Sequence, residues 1–396
     1  MTREELNQSI DIINQCPNVA IQACTGAGKS KCALDMATKV KAKRILLFIA
    51  ERAHYKNWED EINKWNFKSP ICISCYNSMH KFVNTNWDII IYDEAHHLQS
   101  DLRVEYFSHI NSKYKVFLSA TLKDRLINRL QFICGHIETI KVGLQDAFNS
   151  KLLPEPKIVL VPLTLNNKDN NRTIIEEWGK KEKRVTIECL YKDRWKYLRA
   201  KKQIPNATLL IKCTEQQEYD YYTEKQEYLK KRYYSTRNQA IHNLWMQAGS
   251  KRKLLLGSYK TDVAKKVIDL ISDRRFICFC TNISQADYLG KNNAIHSKKS
   301  DKQKLELIEG FNNLEINSLF AVGMLQEGMN LNNIEAGIII QLDGEERAFI
   351  QKFGRTLRAG NPIQYILYYK NTRDEEYLNN ALENINKKYI EYEYIN

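Results

Sequence analysis

A glycine-rich stretch near the N-terminus has the residue types that hold phosphate groups. Residues 23–30 run Ala-Cys-Thr-Gly-Ala-Gly-Lys-Ser, between a short apolar run and a helical pattern, and depart from the standard pattern only where Ala23 replaces the first glycine. Glycines let backbone N–H groups approach phosphate oxygens, and a helix N-terminus adds positive potential. In such a loop Lys29 reaches the outer phosphates and the Ser30 hydroxyl binds Mg²⁺. The predicted triphosphate-binding residues are Thr25, Gly26, Ala27, Gly28, Lys29 and Ser30.

A pair of acidic residues supplies the other half of this chemistry. Asp93 and Glu94 follow an apolar run at residues 89–92. In an open α/β sheet, ligands bind at the carboxyl ends of the strands. Asp93 can therefore hold the Mg²⁺ that bridges the phosphates, and Glu94 can polarise the water that attacks the terminal phosphate. With the phosphate loop upstream, the pair predicts hydrolysis of ATP with Mg²⁺ as the metal.

Apolar runs alternate with helical patterns in two separate blocks of the chain. Such alternation is typical of parallel sheets covered by helices on both faces, so the predicted fold class is α/β. We divide the chain into a first lobe at 1–150, a basic insert at 151–254 and a second lobe at 255–396. The strands predicted for the two lobes are 18–22, 44–50, 71–76, 87–92 and 114–118, then 275–280, 318–322, 336–342 and 364–369.

The phosphate loop and the acidic pair together resemble the motifs of superfamily 2 helicases of the DEAH/DEXH type, and the likeness covers both α/β blocks. It implies two RecA-like parallel-sheet lobes in tandem, with ATP bound between them. In this family Gln8 resembles the residue that recognises adenine. Ser119-Ala120-Thr121 resembles the motif that couples hydrolysis to nucleic-acid binding, and His96 is assigned to the same coupling. An ordinary Ser/Thr turn is the alternative for this tripeptide.

The resemblance also assigns catalytic residues to the second block. Residues 351–358, Gln-Lys-Phe-Gly-Arg-Thr-Leu-Arg, are similar to the family motif that carries the arginine fingers. Arg355 and Arg358 are three positions apart, on one face of a helix, and the planar guanidinium group suits a developing phosphoryl charge. Gln351 is grouped with them as catalytic. A solvated basic helix face is the alternative.

Further contacts rest on the resemblance alone. Gly328 and Asn330 lie in a segment similar to the one that touches the ribose, where many relatives have Asp at the second position. Three short segments that follow strands are similar to the motifs that contact the nucleic-acid backbone. The residues predicted there are Arg52, His54, Tyr76, Asn77, Ser78, Thr281 and Asn282. Helix-capping turns are the alternative for each segment.

The insert carries most of the positive charge of the chain. Between residues 168 and 260, 22 Lys and Arg face 11 Asp and Glu, whereas the net charge of the whole chain is +13. We predict a hairpin of 184–191 with 207–213, and then one long helix over 215–248. The basic, aromatic turn of this hairpin could contact a duplex or separate its strands, through Arg194, Trp195 and Lys196. The alternative is that these charges only solvate a structural hairpin.

Composition indicates the type of binding partner and the cellular compartment. A sequence pI of about 9.1 favours a polyanionic partner. The ten scattered cysteines and the absence of an apolar run of about 20 residues predict a reduced, cytoplasmic protein without a membrane segment. For a viral protein this would be the host cytoplasm. Cys72 and Cys75 form a CxxC within a predicted strand, which favours a structural role over a metal site.

These patterns lead to a functional expectation with alternatives. We expect an ATP-dependent DNA helicase or translocase that acts on duplex or forked DNA. Residues 351–358 resemble DNA-repair and phage-type helicases, and residues 372–376 resemble the tail of DNA translocases. An RNA helicase and a non-catalytic nucleic-acid-binding scaffold are the alternatives. A monomer is expected, with replication or recombination proteins as candidate partners.

Overall fold

The structure is a computed structural model of the whole chain, and its description here covers residues 9–24, 26–52, 54–151, 153–323, 331–342, 344, 349–350, 352–354 and 360–395. Seven residues to which the sequence assigns a role lie outside the described residues. They are Gln8, Thr25, Gly328, Asn330, Gln351, Arg355 and Arg358. Their predicted roles stay predictions.

The first lobe is built on a six-stranded parallel sheet. Its strands are β1 (Asn18–Ala23), β2 (Ile45–Ile49), β3 (Ile71–Cys75), β4 (Asn86–Tyr92), β5 (Asn111–Ser119) and β6 (Glu138–Val142). They lie in the order β3-β2-β4-β5-β1-β6. Every residue of β1 and β2 is buried, because a parallel sheet is covered on both faces and its central strands are apolar throughout. The covering helices are α1 (Lys29–Lys39), α2 (His54–Lys64), α3 (Asp101–Ser108), α4 (Asp124–Cys134) and α5 (Leu144–Asn149).

Topology brings three separated segments to one edge of this sheet. Strand β5 lies between β1 and β4, and Gln22 of β1 is opposite Ser119 of β5. Since all three strands are parallel, their carboxyl ends meet at the same edge. The phosphate loop, the acidic pair and the Ser119 segment are therefore neighbours, although up to 97 residues separate them along the chain.

The rest of the chain forms the second lobe and the insert. Its strands are β7 (Lys157–Leu163), β8 (Arg172–Trp178), β9 (Val185–Leu190), β10 (Ala207–Cys213), β11 (Phe276–Cys280), β12 (Ala294–Ile295), β13 (Ser318–Val322), β14 (Ala336–Ile339), β15 (Ile363–Tyr369) and β16 (Ile390–Tyr392). Its helices are α6 (Arg194–Arg199), α7 (Glu215–Thr236), α8 (Gln239–Tyr259), α9 (Thr261–Leu270), α10 (Ile283–Gly290), α11 (Asp301–Asn312) and α12 (Arg373–Leu382).

The second lobe is again a parallel sheet, with the order β12-β13-β11-β14-β15-β7-β16. The predicted α/β class and the two parallel-sheet lobes are confirmed. Strand β7 pairs with β15 along its whole length. Residues 157–163 are thus part of the second sheet, whereas the sequence division placed 151–254 in the insert. The insert leaves the second lobe after β7 and returns before β11.

The predicted hairpin in the insert is wrong. Strand β10 is the centre of a three-stranded sheet in which it runs antiparallel to β8 but parallel to β9. A two-strand hairpin requires antiparallel neighbours, whereas parallel strands need a longer crossover. Here the connection between β9 and β10 contains helix α6, so the basic stretch predicted as a turn is a helical crossover.

The single long helix predicted over 215–248 is also wrong. The chain forms two antiparallel helices, α7 and α8, which we call the arm. Arg237 ends α7 in the left-handed conformation with φ of 52°. The Asn238 side chain then accepts hydrogen bonds from the backbone N–H groups of Ala240 and Ile241, and so caps α8. Arg237 and Asn238 therefore fold what the sequence pattern predicted as one helix into a hairpin.

All ten cysteines are free thiols, and Cys72 and Cys75 lie on strand β3 as expected. Among the described residues, no helix combines the length and the apolar character that crossing a membrane requires.

Candidate nucleotide site and nucleic-acid contacts

The phosphate loop has the backbone geometry that phosphate binding requires. Gly26 and Gly28 have φ of 89° and 91°, a region that strongly favours glycine. Gly28 also caps helix α1, so the loop leads directly into a helix N-terminus. The Lys29 ammonium donates hydrogen bonds to the carbonyl oxygens of Ala23 at 2.7 Å and Cys24 at 3.2 Å. These bonds fix the charge of Lys29 at the mouth of the loop.

Asp93 is held in place from three sides. Its Oδ2 accepts a hydrogen bond from the Trp58 indole at 2.8 Å, and its Oδ1 accepts one from the backbone N–H of Glu94 at 3.0 Å. The Tyr76 hydroxyl donates to the backbone carbonyl of Asp93 at 2.8 Å. Burial, and next the charge of Glu94, raise the pKa of Asp93 to about 6, although Trp58 and Lys29 oppose the shift. Because burial disfavours the ionised form of this carboxylate, a cation bound beside it would stabilise that form strongly.

Glu94 and His96 form a tight acidic–imidazole group beside Asp93. Glu94 adopts a left-handed backbone with φ of 47°, which turns the chain sharply after β4. Its Oε2 is buried without a hydrogen bond, and the His96 Nδ1 lies 3.3 Å from it. The same His96 Nδ1 lies 3.3 Å from the Ser119 hydroxyl. A buried carboxylate oxygen that lacks a donor is suited to a water molecule or a metal-bound water.

The three residues predicted to couple hydrolysis to nucleic-acid binding are brought together. The Ser119 hydroxyl, which contacts His96, donates to the Thr121 carbonyl at 2.8 Å. Gln22 accepts a hydrogen bond from the backbone N–H of Leu122 at 3.1 Å and ties this turn to β1. A continuous polar connection therefore runs from Glu94 through His96 and Ser119 to Thr121.

A cleft between the lobes lies next to the site, on the side of His96 and Thr121. This cleft has a volume of about 1330 Å³, and its walls include His96, Thr121 and Lys123 of the first lobe with Gly344, Asn380 and Asn384 of the second. Apolar and polar contacts join the lobes beside it. Phe148 of α5 packs edge-on against Phe353 and Tyr389, with ring centroids 6.3 and 5.5 Å apart. Phe353 belongs to the predicted arginine motif, so the described part of that motif faces the first lobe.

Three residues predicted to contact nucleic acid have buried side chains. Tyr76 is only 1 % exposed, and its ring packs in the core of the first lobe. His54 is 2 % exposed at the start of α2. The Arg194 guanidinium is 8 % exposed and lies 3.6 Å from the centroid of the Tyr191 ring, inside the insert. Their predicted contacts with nucleic acid stay predictions, and this structure places all three side chains below the surface.

The other predicted nucleic-acid contacts are accessible to different degrees. Arg52, Trp195 and Lys196 are exposed. Asn77 is exposed, but its Oδ1 accepts a hydrogen bond from Arg103 at 2.9 Å, while Ser78 is half-buried. Thr281 and Asn282 are half-buried after β11, and the Asn282 side chain caps α10 by accepting a hydrogen bond from the Gln285 N–H. The capping alternative thus describes the Asn282 side chain.

Two residues of the site were missed from the sequence. Trp58 binds the Asp93 carboxylate, yet its helical spacing with Ile62 and Trp65 indicated only a core position. Gln22 is a polar residue that follows the apolar residues 19–21 of a buried strand, and it orients the turn after Ser119. The isolated polar side chain in a buried strand was a usable signal for Gln22. Nothing in the local sequence distinguished Trp58.

The residues present fit a Mg²⁺ ion. Ser30 and Asp93 supply hard oxygen ligands, and Mg²⁺ is commonly held by one or two carboxylates together with substrate phosphates. The buried Asp93 and the unpartnered oxygen of Glu94 create the negative potential that such an ion would neutralise. Within the described ranges no three His, Cys, Asp or Glu residues form a metal-binding cluster.

We expect ionisation of Asp93 to oppose folding between about pH 4 and about pH 6. Its pKa is raised in the folded state from an ordinary 3.8 to about 6, so the folded protein binds this proton more tightly and loses stability as pH rises through the window. Lys29 and Glu94 are the charged groups that face it. The thermal midpoint of the wild type should fall relative to that of Asp93→Asn as pH is raised.

Mg²⁺ with a non-hydrolysable ATP analogue should reduce the pH-dependent difference in thermal midpoint between the wild type and Asp93→Asn. The reason is that a nearby cation favours the ionised carboxylate. A difference in midpoint that stays constant with pH, or that grows in favour of the wild type, would contradict the raised pKa.

Comparison with known proteins matches the second lobe to a helicase domain and parts of the chain to named helicases. The model of the helicase conserved C-terminal domain matches residues 259–360. A putative ATP-dependent RNA helicase from Methanocaldococcus jannaschii is 25% identical over 142 residues, which are 36% of this chain and 17% of that protein. The ATP-dependent DNA helicase mph1 from Neurospora crassa is 26% identical over 155 residues, which are 37% of this chain and 12% of that protein. The chain thus matches less than a fifth of the length of these curated relatives.

Solved structures extend the likeness to the complete fold. S. cerevisiae Dbp5 bound to RNA and ADP BeF3 has a TM-score of 0.58 and 12% identity, over 99% of this chain and 88% of that chain. At this identity the likeness concerns the fold, which is a tandem of RecA-like lobes. The chain therefore has the fold of two RecA-like lobes in tandem, and residues 259–360 of its second lobe match the helicase conserved C-terminal domain.

Proposed function

We propose that this protein is an ATP-dependent DNA helicase or translocase, with an RNA helicase as the alternative. One observation carries the proposal. Lys29, Asp93 and Glu94 converge at the carboxyl edge of the first sheet, beside a cleft whose far side is formed by the second lobe. A phosphate loop, a metal-binding carboxylate and a buried base at one edge constitute the first half of an ATP-hydrolysing site.

Each residue has a distinct task in hydrolysis. The backbone of the loop and the Lys29 ammonium bind the phosphates, while Ser30 and Asp93 would hold a Mg²⁺ ion, which would supply positive charge beside the phosphates. Glu94 orients the attacking water and accepts its proton, because its Oε2 is buried and makes no hydrogen bond of good geometry, with the His96 Nδ1 3.3 Å away. The sequence assigns Arg355 and Arg358 to the developing charge on the transferred phosphoryl group.

The polar connection from Glu94 to Thr121 supports a coupling role. A change in the position of Glu94 during turnover would alter its contact with His96, and through Ser119 the turn at Thr121 that lines the interlobe cleft. Closure of the cleft around ATP and its reopening after hydrolysis would then change the grip of the two lobes on the nucleic acid.

We expect DNA to stimulate the ATPase more strongly than RNA. The basis is the resemblance of residues 351–358 and 372–376 to DNA motors, whereas the relatives include helicases named for RNA and for DNA. The measurement is steady-state ATP turnover with duplex DNA, forked DNA, single-stranded DNA and RNA of matched length. Strand displacement on the forked DNA separates unwinding from translocation without unwinding.

The outcomes separate the candidate functions. Stimulation by RNA alone would favour the RNA helicase. No stimulation by any nucleic acid, with intact folding, would favour the non-catalytic scaffold. A monomeric state, a cytoplasmic location and replication or recombination partners remain part of the proposal.

A further inference from the structure

From residue 228 onward, the charged residues of the arm formed by α7 and α8 are all basic. Between residues 228 and 261 the sequence contains eight Lys and Arg but no Asp or Glu. Lys231, Arg232 and Arg237 are exposed near the turn of the arm, and none of them makes an ion pair with any other described residue. Because uncompensated like charges repel each other, such a cluster is stabilised by a polyanion.

Aromatic side chains are clustered at the same end of the arm. Tyr233 stacks on Trp245 across the two helices with centroids 5.8 Å apart, and Tyr234 lies 6.0 Å from the same Trp245. The Arg237 guanidinium covers the Tyr234 ring at 5.2 Å. Tyr234 and Tyr228 are nevertheless 52 % and 61 % exposed. The tip therefore presents flat aromatic faces next to cations, an arrangement suited to nucleotides.

The root of the arm is fixed to the second lobe at a predicted nucleic-acid motif. Gln285 donates to the carbonyl of Gly257 in α8 at 2.9 Å and accepts a hydrogen bond from the Thr281 N–H at 2.8 Å. A Cβ added to Gly257 would come within 2.1 Å of the Thr281 hydroxyl, so the helix backbone lies against that motif. Next to it, Lys260 and Asp374 form a fully buried ion pair. The arm is thus rooted directly beside Thr281 and Asn282.

We propose that the tip of the arm, residues 228–246, is a second nucleic-acid-binding site that grips the phosphate backbone away from the ATP cleft. This inference rests on the proposed function. With 22 and 21 residues, α7 and α8 extend about 30 Å, close to one turn of duplex. The tip therefore lies too far along the helices from Thr281 and Asn282 to share one phosphate with them. Because the arm is rooted in the second lobe, the binding site at its tip moves together with that lobe.

The test replaces three cations at the tip. The variant Lys231→Gln/Arg232→Gln/Arg237→Gln should bind the nucleic acid that best stimulates the wild type about 10- to 100-fold more weakly at 0.15 M salt. The slope of log affinity against log salt concentration should decrease by about 2 to 3, since each lost phosphate contact removes about 0.9. ATP turnover without nucleic acid should be unchanged. Fluorescence anisotropy over a salt series measures both quantities.

A matched control separates local contact from net charge. The variant Lys68→Gln/Lys265→Gln/Lys298→Gln removes the same charge from exposed positions on the two lobes, and it should retain the wild-type slope. A second variant, Tyr228→Ala/Tyr234→Ala, leaves all charges in place. It should lower affinity while preserving the slope, because stacking is less sensitive to salt than phosphate contacts.

The outcomes distinguish this inference from the proposed function. If the wild type binds nucleic acid and the tip variant retains its affinity and slope, the inference is overturned but the proposed motor function is not. The exposed cations of the tip would then suit an acidic protein partner. If the wild type binds no nucleic acid at any salt concentration, both the proposed function and the site at the tip are contradicted. Equal loss in the tip variant and in the charge control would also overturn a specific site at the tip.

Discussion

Glu94→Gln is expected to reduce ATP turnover by about 10² to 10⁴-fold while nucleotide affinity stays near that of the wild type. The substitution keeps the shape of the side chain but removes the group that accepts the proton of the attacking water. Glu94 is suited to this role because its Oε2 is buried without a hydrogen bond and lies beside Asp93 and His96. The measurement is steady-state turnover with saturating nucleic acid, together with equilibrium binding of a fluorescent ATP analogue.

Matched variants make this result interpretable. Glu105→Gln introduces the same change at an exposed position of α3 and should be silent. Lys29→Ala should also abolish turnover but should weaken nucleotide binding, since its ammonium is held at the loop mouth by Ala23 and Cys24. Lys31→Ala, two residues later, removes an amine that pairs with Asp35 and should keep activity. Wild-type-like turnover in both Glu94→Gln and Lys29→Ala would show that ATP is not hydrolysed at this site.

Asp374→Ala is expected to destabilise the second lobe by about 3 to 5 kcal/mol, because it leaves a buried charge without its partner. Lys260 and Asp374 are 0 % and 1 % exposed, with Nζ and Oδ2 2.5 Å apart. Gln341 completes the group, since it accepts from Lys260 at 3.0 Å and donates to Asp374 at 2.6 Å. Burial lowers the pKa of Lys260, against the opposing effect of Asp374. The measurement is urea unfolding followed by circular dichroism.

A double variant tests whether the loss of stability in Asp374→Ala comes from the unpaired charge of Lys260. Lys260→Met/Asp374→Leu removes both charges together and should recover most of the lost stability, because an apolar pair can replace a buried ion pair. Glu376→Ala breaks an exposed pair with Arg373 on the same helix and should cost at most about 1 kcal/mol. A loss for Asp374→Ala no larger than that for Glu376→Ala would show that the buried pair contributes little.

Local patterns were sufficient to select the predicted site residues of the first lobe. The glycine loop up to Lys29 and the Asp93–Glu94 pair were recognisable because phosphate and metal binding need particular residue types at short spacings. All nine strands predicted in the two lobes are present, since buried parallel strands have continuous apolar sequences. The sequence alone therefore determined the fold class, the order of the two sheets along the chain, and the residues at the carboxyl ends of β1 and β4.

Tertiary structure decided the features that depend on contacts between distant segments. Lys260 and Asp374 are 114 residues apart, and β7 joins a sheet whose other strands begin more than 100 residues later. No periodicity within either segment encodes these pairings. The parallel pairing of β9 with β10, the burial of Tyr76 and His54, and the bond from Trp58 to Asp93 depend in the same way on what packs around them. Spacing along the chain predicts the type of an element, whereas the neighbours of each side chain are set only when the elements pack together.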